Sequence, residues 1–318
     1  MKKKSTYYPW VVVGLLSVVA LLNYLDRQML STMQGAMSMD FEELQNGEMF
    51  GVLMAAFMWV YAFVSPFAGM VADKVSRKWL IVCCLAVWSA VTCLMGYAET
   101  FNQLWWLRAV MGISEALYIP SALSLIADWH KDGSRSLAVG IHMTGLYVGQ
   151  ALGGFGAMVA SNLSWQATFQ VLGYFGILYA FFLLVLLKEN RSSEQDHVKY
   201  EAKPGFASFF AAIAPVVSTM AFWVILFVVA IPILPGWATK NWLPTLFADS
   251  LGVTMDEIGP IATISLAASS FVGAFIGGWV SDAWAHRTLR GRIYTSAIGL
   301  SLTLPGLVML GFGSGIVA

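Results

Sequence analysis

An all-helical protein that spans a membrane many times is what this sequence predicts, and three observations carry the prediction. The chain is 58% hydrophobic and only 11% charged over 318 residues. Its apolar residues gather into runs of roughly 20, the length a helix needs to cross a hydrocarbon core. Its basic residues fall almost entirely on one side of those runs, as the positive-inside rule requires. A soluble domain is about a quarter charged, and a chain this apolar has too little polar surface to cover a water-facing globule. Soluble enzymes, nucleic-acid binders and disordered chains are excluded on that ground. The formal net charge of +0 gives no reason to expect a polyanionic partner.

Nine runs are candidate spans. The first, about 9–33, follows Lys2, Lys3 and Lys4 and mimics a secretory leader; with no A-x-A cleavage site and many spans behind it, it reads as an uncleaved first helix. The second, about 48–72, leaves an acidic loop (Asp40, Glu42, Glu43, Glu48) and ends in GMVADKVSRK. The third, about 79–98, holds Cys83, Cys84 and Cys93, which show neither metal-ligand spacing nor a disulfide framework and read as buried thiols. The fourth, about 104–128, contains Arg108 and Glu115. The fifth, about 136–160, carries Gly145, Gly149 and Gly153 at every fourth position, a pattern of close helix packing. The sixth, about 166–188, precedes the polar segment 189–205, the only linker-like stretch. The seventh, about 218–247, is interrupted by Pro232, Pro235 and Gly236, as in a broken helix beside a cavity. The eighth and ninth run over about 257–281 and 293–316.

Orientation follows from charge. With the N-terminus inside, all of the 18 Lys and Arg except Arg27, Arg108 and Lys240 fall in inner segments, and those three lie within spans. An internal repeat fixes the order of the spans. Gly69 to Lys78 reads GMVADKVSRK, and Gly278 to Arg287 reads GWVSDAWAHR: Gly, then Asp four residues on, then basic residues. Asp73 and Asp282 are 209 residues apart, and the same shift carries span 1 onto span 7. Two copies of a six-helix unit explain this, a parallel repeat of the transporter kind. The expected organisation is a six-helix bundle over 1–188, a cytoplasmic linker over 189–205, and an incomplete second bundle over 206–318. If the halves match in length, roughly 100 residues of the second copy are missing. The chain then reads as a fragment or a truncated gene product.

Charges buried in a membrane are costly and each needs a partner or a task. Span 1 carries Asn23, Tyr24, Asp26 and Arg27; span 4 carries Arg108 and Glu115. Seven residues is close to two helical turns, so Arg108 and Glu115 share a face about 10 Å apart, with Gly112 between them leaving room. At 1.5 Å per residue Arg27 stands about 25 Å up from the inner end of span 1, and Arg108 about 6 Å down from the outer end of span 4. In a core of roughly 30 Å the two arginines share a height in the outer half, and Glu115 lies near the middle. Two arginines and two carboxylates sum to zero; protonating one acid makes the set +1, and protonating both makes it +2. An anion is then attracted, and Arg can grip its carboxylate bidentately. Arginine keeps its proton, so the carboxylates are the switch. Burial favours the neutral acid and a nearby guanidinium favours the ion. This is a physical route to proton–anion symport. The competing reading is a static ion-pair network holding helix 1 to helix 4.

The pattern G-x-x-x-D-x-x-x-R-K between spans 2 and 3, echoed after span 8, resembles the signature loop of the major facilitator superfamily. The resemblance covers the whole chain and implies that family's fold, with a complete N-terminal six-helix bundle and the first three helices of the C-terminal one. It implies a cytoplasmic gate cluster at Gly69, Asp73, Arg77 and Lys78, with Asp128 as partner; the plainer alternative is a solvated loop. NY-x-DR in helix 1 with R-x6-E in helix 4 resembles the anion:cation symporter family of sugar-acid carriers. NWLPTLF (Asn241 to Phe247) and ADWHKDGSR (Ala127 to Arg135) are similar to runs of that family, with His130 replacing an aromatic residue. The resemblance implies that Asp26 and Glu115 couple protons, that Arg27 and Arg108 hold the substrate carboxylate, and that Tyr24 and Tyr61 line the site. The helix-5 position where the family places an amide is Leu146 here. His142, Tyr147 and Gln150 are the polar alternatives, and Gln150 joins the candidate binding set.

Gln150 also stands where an antiporter motif would have Pro, which weakens a drug–proton antiporter reading. His142 reads as a proton relay or a packed ring, Lys240 as a snorkelling side chain or a further anion contact. No phosphate-binding loop, catalytic constellation or metal cluster is present, so no enzyme and no cofactor is expected. The expected function is proton-coupled symport of a small organic anion, a hexuronate or aldonate, by a monomer in the bacterial cytoplasmic membrane. A spinster-like lysolipid or sphingolipid carrier and a non-transporting remnant are the alternatives.

Overall fold

The computed structural model describes residues 7–130, 134–189, 214–285, 287–288 and 290–312. Within them the elements are α1 (Tyr8–Thr32), α2 (Gln34–Met37), a 3-10 turn (Glu42–Gln45), α3 (Gly47–Lys74), α4 (Arg77–Met95), α5 (Phe101–Trp129), α6 (Arg135–Gly153), α7 (Gly156–Leu163), α8 (Trp165–Leu186), α9 (Met220–Leu251), α10 (Met255–Ala285) and α11 (Gly291–Phe312). The fold is all-helical, as expected.

Local chemistry sets the helix ends. Pro9 in the first turn of α1 loses no needed N–H there. Asn46, Ser76, Thr100 and Ser164 each accept a backbone N–H in the first turn of α3, α4, α5 and α8, satisfying donors that a helix start leaves open. Ser164 has a φ of +97°, and this one left-handed residue turns the chain from α7 into α8.

Seven helices among the described residues are long and apolar enough to cross a membrane: Tyr8–Thr32, Gly47–Ala72, Arg77–Met95, Phe101–Trp129, Trp165–Leu186, Met220–Leu251 and Met255–Ser281. Three of the nine expected runs differ. The seventh, α9, runs unbroken over Met220–Leu251, through Pro232, Pro235 and Gly236, where an interruption was expected. The ninth is α11, whose apolar stretch is the shorter Ile293–Met309. The fifth breaks into α6 and α7. The reason lies in packing. A Cβ on Gly154 would lie 2.7 Å from the Gly259 carbonyl oxygen, and one on Gly259 would lie 2.7 Å from that of Gly154, so two glycines let α10 press against the break. Carbonyls near the break are satisfied by hydroxyls: Thr263 donates to Ala151 at 3.1 Å and Thr32 to Gly153 at 3.0 Å. That is how a membrane helix tolerates interruption. Gly145, Gly149 and Gly153 take Ser17, Leu21 and Gln28 of α1 against their bare backbone, the close packing their spacing implied.

The chain divides into two compact units, Met1–Asn190 with Pro244–Phe271, and Arg191–Leu243 with Val272–Ala318. In the first, α1 runs against α6, α3 against α5, and α4 against both α5 and α8. Trp88, Tyr118, Phe50, Phe57 and Leu16 are sealed in its core, while Trp59, Phe63, Leu178, Phe181 and Val185 stand on its outer surface, as lipid-facing residues do. In the second, Ile225, Phe227, Ile231, Phe275 and Trp279 are likewise exposed on apolar helices.

Cys84 and Cys93 are buried as expected, but Cys83 is exposed; one residue along a helix is a 100° turn, which carries it to the outer face of α4. Of the expected linker 189–205 only Glu189 is described. Lys2, Lys3, Lys4, Lys131, Arg191, Lys199 and Lys203, and the side chains of Asp73, Asp282, Arg292 and Pro232, lie outside the described set.

Candidate functional site

Four helices of the first unit converge on the charges that the sequence places in the membrane. α1 supplies Asn23, Tyr24, Asp26 and Arg27, and α5 supplies Arg108, Gly112 and Glu115. Arg27 Nε donates to Glu115 Oε2 at 2.6 Å, and a second guanidinium nitrogen makes an ion pair to the same oxygen. Glu115 is fully buried, and its other oxygen, Oε1, has no hydrogen-bond partner among the described residues. The expected meeting of helix 1 and helix 4 charges is therefore present, with Glu115 committed to Arg27.

Arg108 is held differently. It is 2% exposed, its Nε has no partner among the described residues, and its described hydrogen bond runs from Nη1 to the soft acceptor Met111 Sδ at 3.3 Å. Asp26 and Glu115 both act on it electrostatically, yet neither stands within ion-pair distance among the described residues. What supports both guanidiniums is an aromatic ring. The Phe57 centroid lies 4.5 Å from Arg27 Cζ and 4.8 Å from Arg108 Cζ, with Tyr24 and Tyr61 at 5.1 and 5.3 Å from Arg27. A ring face is attractive to a cation, and more so where water is excluded. α3 reaches this position because α5 has glycine there. A Cβ on Gly112 would lie 2.6 Å from the Phe57 carbonyl oxygen and 3.1 Å from the Tyr61 nitrogen. The room expected at Gly112 is filled by α3.

Asp26 is buried and faces α4, where Thr92 Oγ1 lies 3.2 Å from its Oδ2. Both amide heavy atoms of Asn23 are buried without a hydrogen-bond partner among the described residues. Gln150 is buried on α6, its Nε2 has no hydrogen-bond partner among the described residues, and no described contact joins it to the arginines. His142 is sealed among helices, its ring 6.1 Å from that of Tyr118, whose hydroxyl donates to the Leu16 carbonyl at 2.9 Å; this is a packed setting. Leu146 is buried on the same helix, and Lys240 is partly buried on α9.

At the other end of the bundle, Arg77 is buried and ion-paired with Asp128, as expected, with its Nη1 also 3.4 Å from the Ser124 carbonyl. Lys78 follows on α4 and is partly exposed. Gly69 is exposed, and a Cβ there would meet nothing within 4 Å, so packing within the described residues does not require glycine. Asp73 is placed near the end of α3, its side chain outside the described set.

Three contributors escape a reading of the sequence. Phe57 is one apolar residue among many, although its position four before Tyr61 puts both on one helix face. Thr92 is a single hydroxyl in an apolar run. Glu189 reads as the start of the linker, but it caps α4: Ser76 Oγ donates to one carboxylate oxygen at 2.6 Å and the Arg77 N–H to the other at 2.9 Å, where the helix dipole favours an anion.

The family model described as Major Facilitator Superfamily matches residues 16–318. A D-galactonate transporter of Escherichia coli O6:H1 is 25% identical over 293 residues, covering 86% of this chain and 67% of the relative. A hexuronate transporter of Bacillus subtilis is 24% identical over 317 residues, covering 96% and 72%. Among solved structures, an inward-facing, unoccupied bacterial homologue of the human lysosomal transporter Spinster superposes with a TM-score of 0.71 at 25% identity, covering 90% of this chain and 65% of that one. The chain thus spans about two thirds of the length of these proteins.

Proposed function

Because the chain belongs to the Major Facilitator Superfamily, whose members are transporters and not enzymes, we propose that it serves proton-coupled symport of a small organic anion, a sugar acid of the hexuronate or aldonate class. The observation that carries this is the unequal state of the two arginines. Arg27, part-buried, is engaged by Glu115, while Arg108, more deeply buried, has no carboxylate at ion-pair distance among the described residues. A substrate carboxylate completes Arg108 bidentately. A proton on Glu115 then releases Arg27 to share the load, and a proton on Asp26 removes the remaining negative charge. Because each proton makes the site more positive, acidification favours anion binding, and by reciprocity bound anion favours protonation. Tyr24, Tyr61 and Gln150 supply hydroxyl and amide groups for a polyhydroxylated chain. Names of the relatives, a D-galactonate and a hexuronate transporter, support this substrate class.

In this reading Gly69, Asp73, Arg77, Lys78 and Asp128 form the cytoplasmic gate, supported by the buried Arg77–Asp128 pair. α6 with α7 acts as the fifth of nine spans and α11 as the ninth. The protein lies in the cell membrane with its N-terminus cytoplasmic, works as a monomer, and uses no cofactor.

The test uses protein reconstituted in vesicles. Asp26→Asn and Glu115→Gln are expected to keep counterflow exchange of D-galactonate or D-glucuronate while losing accumulation driven by a pH gradient. Undiminished pH-driven accumulation in both variants overturns the proton role. The likeness to the Spinster homologue favours a second reading, a lysolipid carrier. Competition of uptake by lysophospholipid, with no effect of either sugar acid, selects it.

A further inference from the structure

We propose that Thr92 is a positioning residue that reads the protonation state of Asp26 and passes it to α4. The inference rests on the reading of Asp26 as a proton-coupling carboxyl.

Thr92 Oγ1 lies 3.0 Å from the Trp88 carbonyl oxygen and 3.2 Å from Asp26 Oδ2. A hydroxyl has one proton to give, although it can also accept. Neither a carbonyl nor an ionised carboxylate can donate to it. When Asp26 is neutral, its own O–H donates to Thr92, and Thr92 donates back to the Trp88 carbonyl one turn earlier on α4. When Asp26 is ionised, the Thr92 proton must turn to the carboxylate, and the Trp88 carbonyl keeps only its helical bond. Ionisation of Asp26 thus dictates one direction of the hydroxyl, and protonation opens the other. The change alternates between a bond within α4 and a bond from α4 to α1.

The surroundings isolate this contact. Thr92 is fully buried and Asp26 nearly so, so water does not stand in for the hydroxyl. From α5, Glu115 and Arg108 act on Asp26 through space, and Arg27 neighbours it on α1, engaged with Glu115. From α6, His142 makes its described ring contact with Tyr118. α4 presents to Asp26 the hydrogen bond of Thr92. A hydrogen bond to the ion is stronger than one to the neutral acid, so removing the hydroxyl penalises the ion more.

Infrared titration of the reconstituted protein, without substrate, measures this directly. The carbonyl stretch of protonated Asp26 is identified by its loss in D26N. We expect Thr92→Val to displace that band and to move its disappearance to higher pH by roughly one unit, with Thr92→Ser restoring both. Thr92→Ala provides the same deletion should the valine variant fail to fold, as judged by gel filtration. A band and titration that stay in place in a folded deletion variant overturn the inference about Thr92 while leaving the role of Asp26 intact. If D26N removes no titrating band, Asp26 is not the proton carrier, and both readings fall.

Discussion

Arg27 and Arg108 are chemically identical side chains that the fold treats unequally. Arg27 is spent on Glu115, and Arg108 faces a thioether and the Phe57 ring. The expected consequence is an unequal response to lysine. Lysine is a point charge that cannot make the fork a carboxylate accepts from Arg. Arg108→Lys is therefore expected to weaken sugar-acid binding by about 10- to 100-fold, the loss of one charge-assisted bond of about 1.5–3 kcal/mol. Arg27→Lys, which keeps a partner in Glu115, is expected to cost several-fold less. Isothermal titration of both variants with D-galactonate and D-glucuronate decides it, and equal losses would contradict the asymmetry. The charged members of the site are legible in the sequence because ionisable residues inside apolar runs stand out. Phe57 and Thr92 are not, since an aromatic ring or a lone hydroxyl in such a run looks like any other packed side chain.

At the scale of whole helices, glycine decides how closely two backbones approach, and the sequence marks candidates without saying which matter. Gly112 holds α3 against α5, with the Phe57 carbonyl and Tyr61 nitrogen in its shadow, whereas Gly69 borders nothing among the described residues. Gly112→Val is expected to force α3 away, at a cost of about 1–3 kcal/mol from overpacking, and to carry Phe57 and Tyr61 off the arginines. Gly69→Ala is expected to leave stability within about 0.5 kcal/mol. Thermal unfolding in detergent, paired with binding, measures both; a stable Gly112→Val that binds normally would refute the packing argument. The spacing of Gly145, Gly149 and Gly153 made close packing on that helix readable in advance, but not that α1 is the partner. The break between α6 and α7 was not readable, because it depends on Gly259 and Thr263 of α10, more than 100 residues further along.

Taken as a whole, the first unit is fastened by charge at the end where α3 passes into α4. Arg77 and Asp128 pair inside it, and Glu189 caps α4 beside them. Removing one member of a buried pair strands the other, at a cost of about 3–5 kcal/mol. Asp128→Asn is expected to lower the unfolding temperature clearly, and the double change Asp128→Asn with Arg77→Gln to recover part of the loss. No recovery would mean that the pair is not coupled.

The amino-acid order alone settled that this chain is a bundle of membrane helices, which family it belongs to, and which ionisable residues lie among apolar neighbours. Those properties depend on composition, run length and spacing, which are local. Only the tertiary structure decided which carboxylate takes which arginine, that Phe57 carries both guanidiniums, and that Thr92 faces Asp26. Such pairings depend on helix rotation and depth, which close packing of distant segments fixes to within an ångström, and no local pattern encodes that.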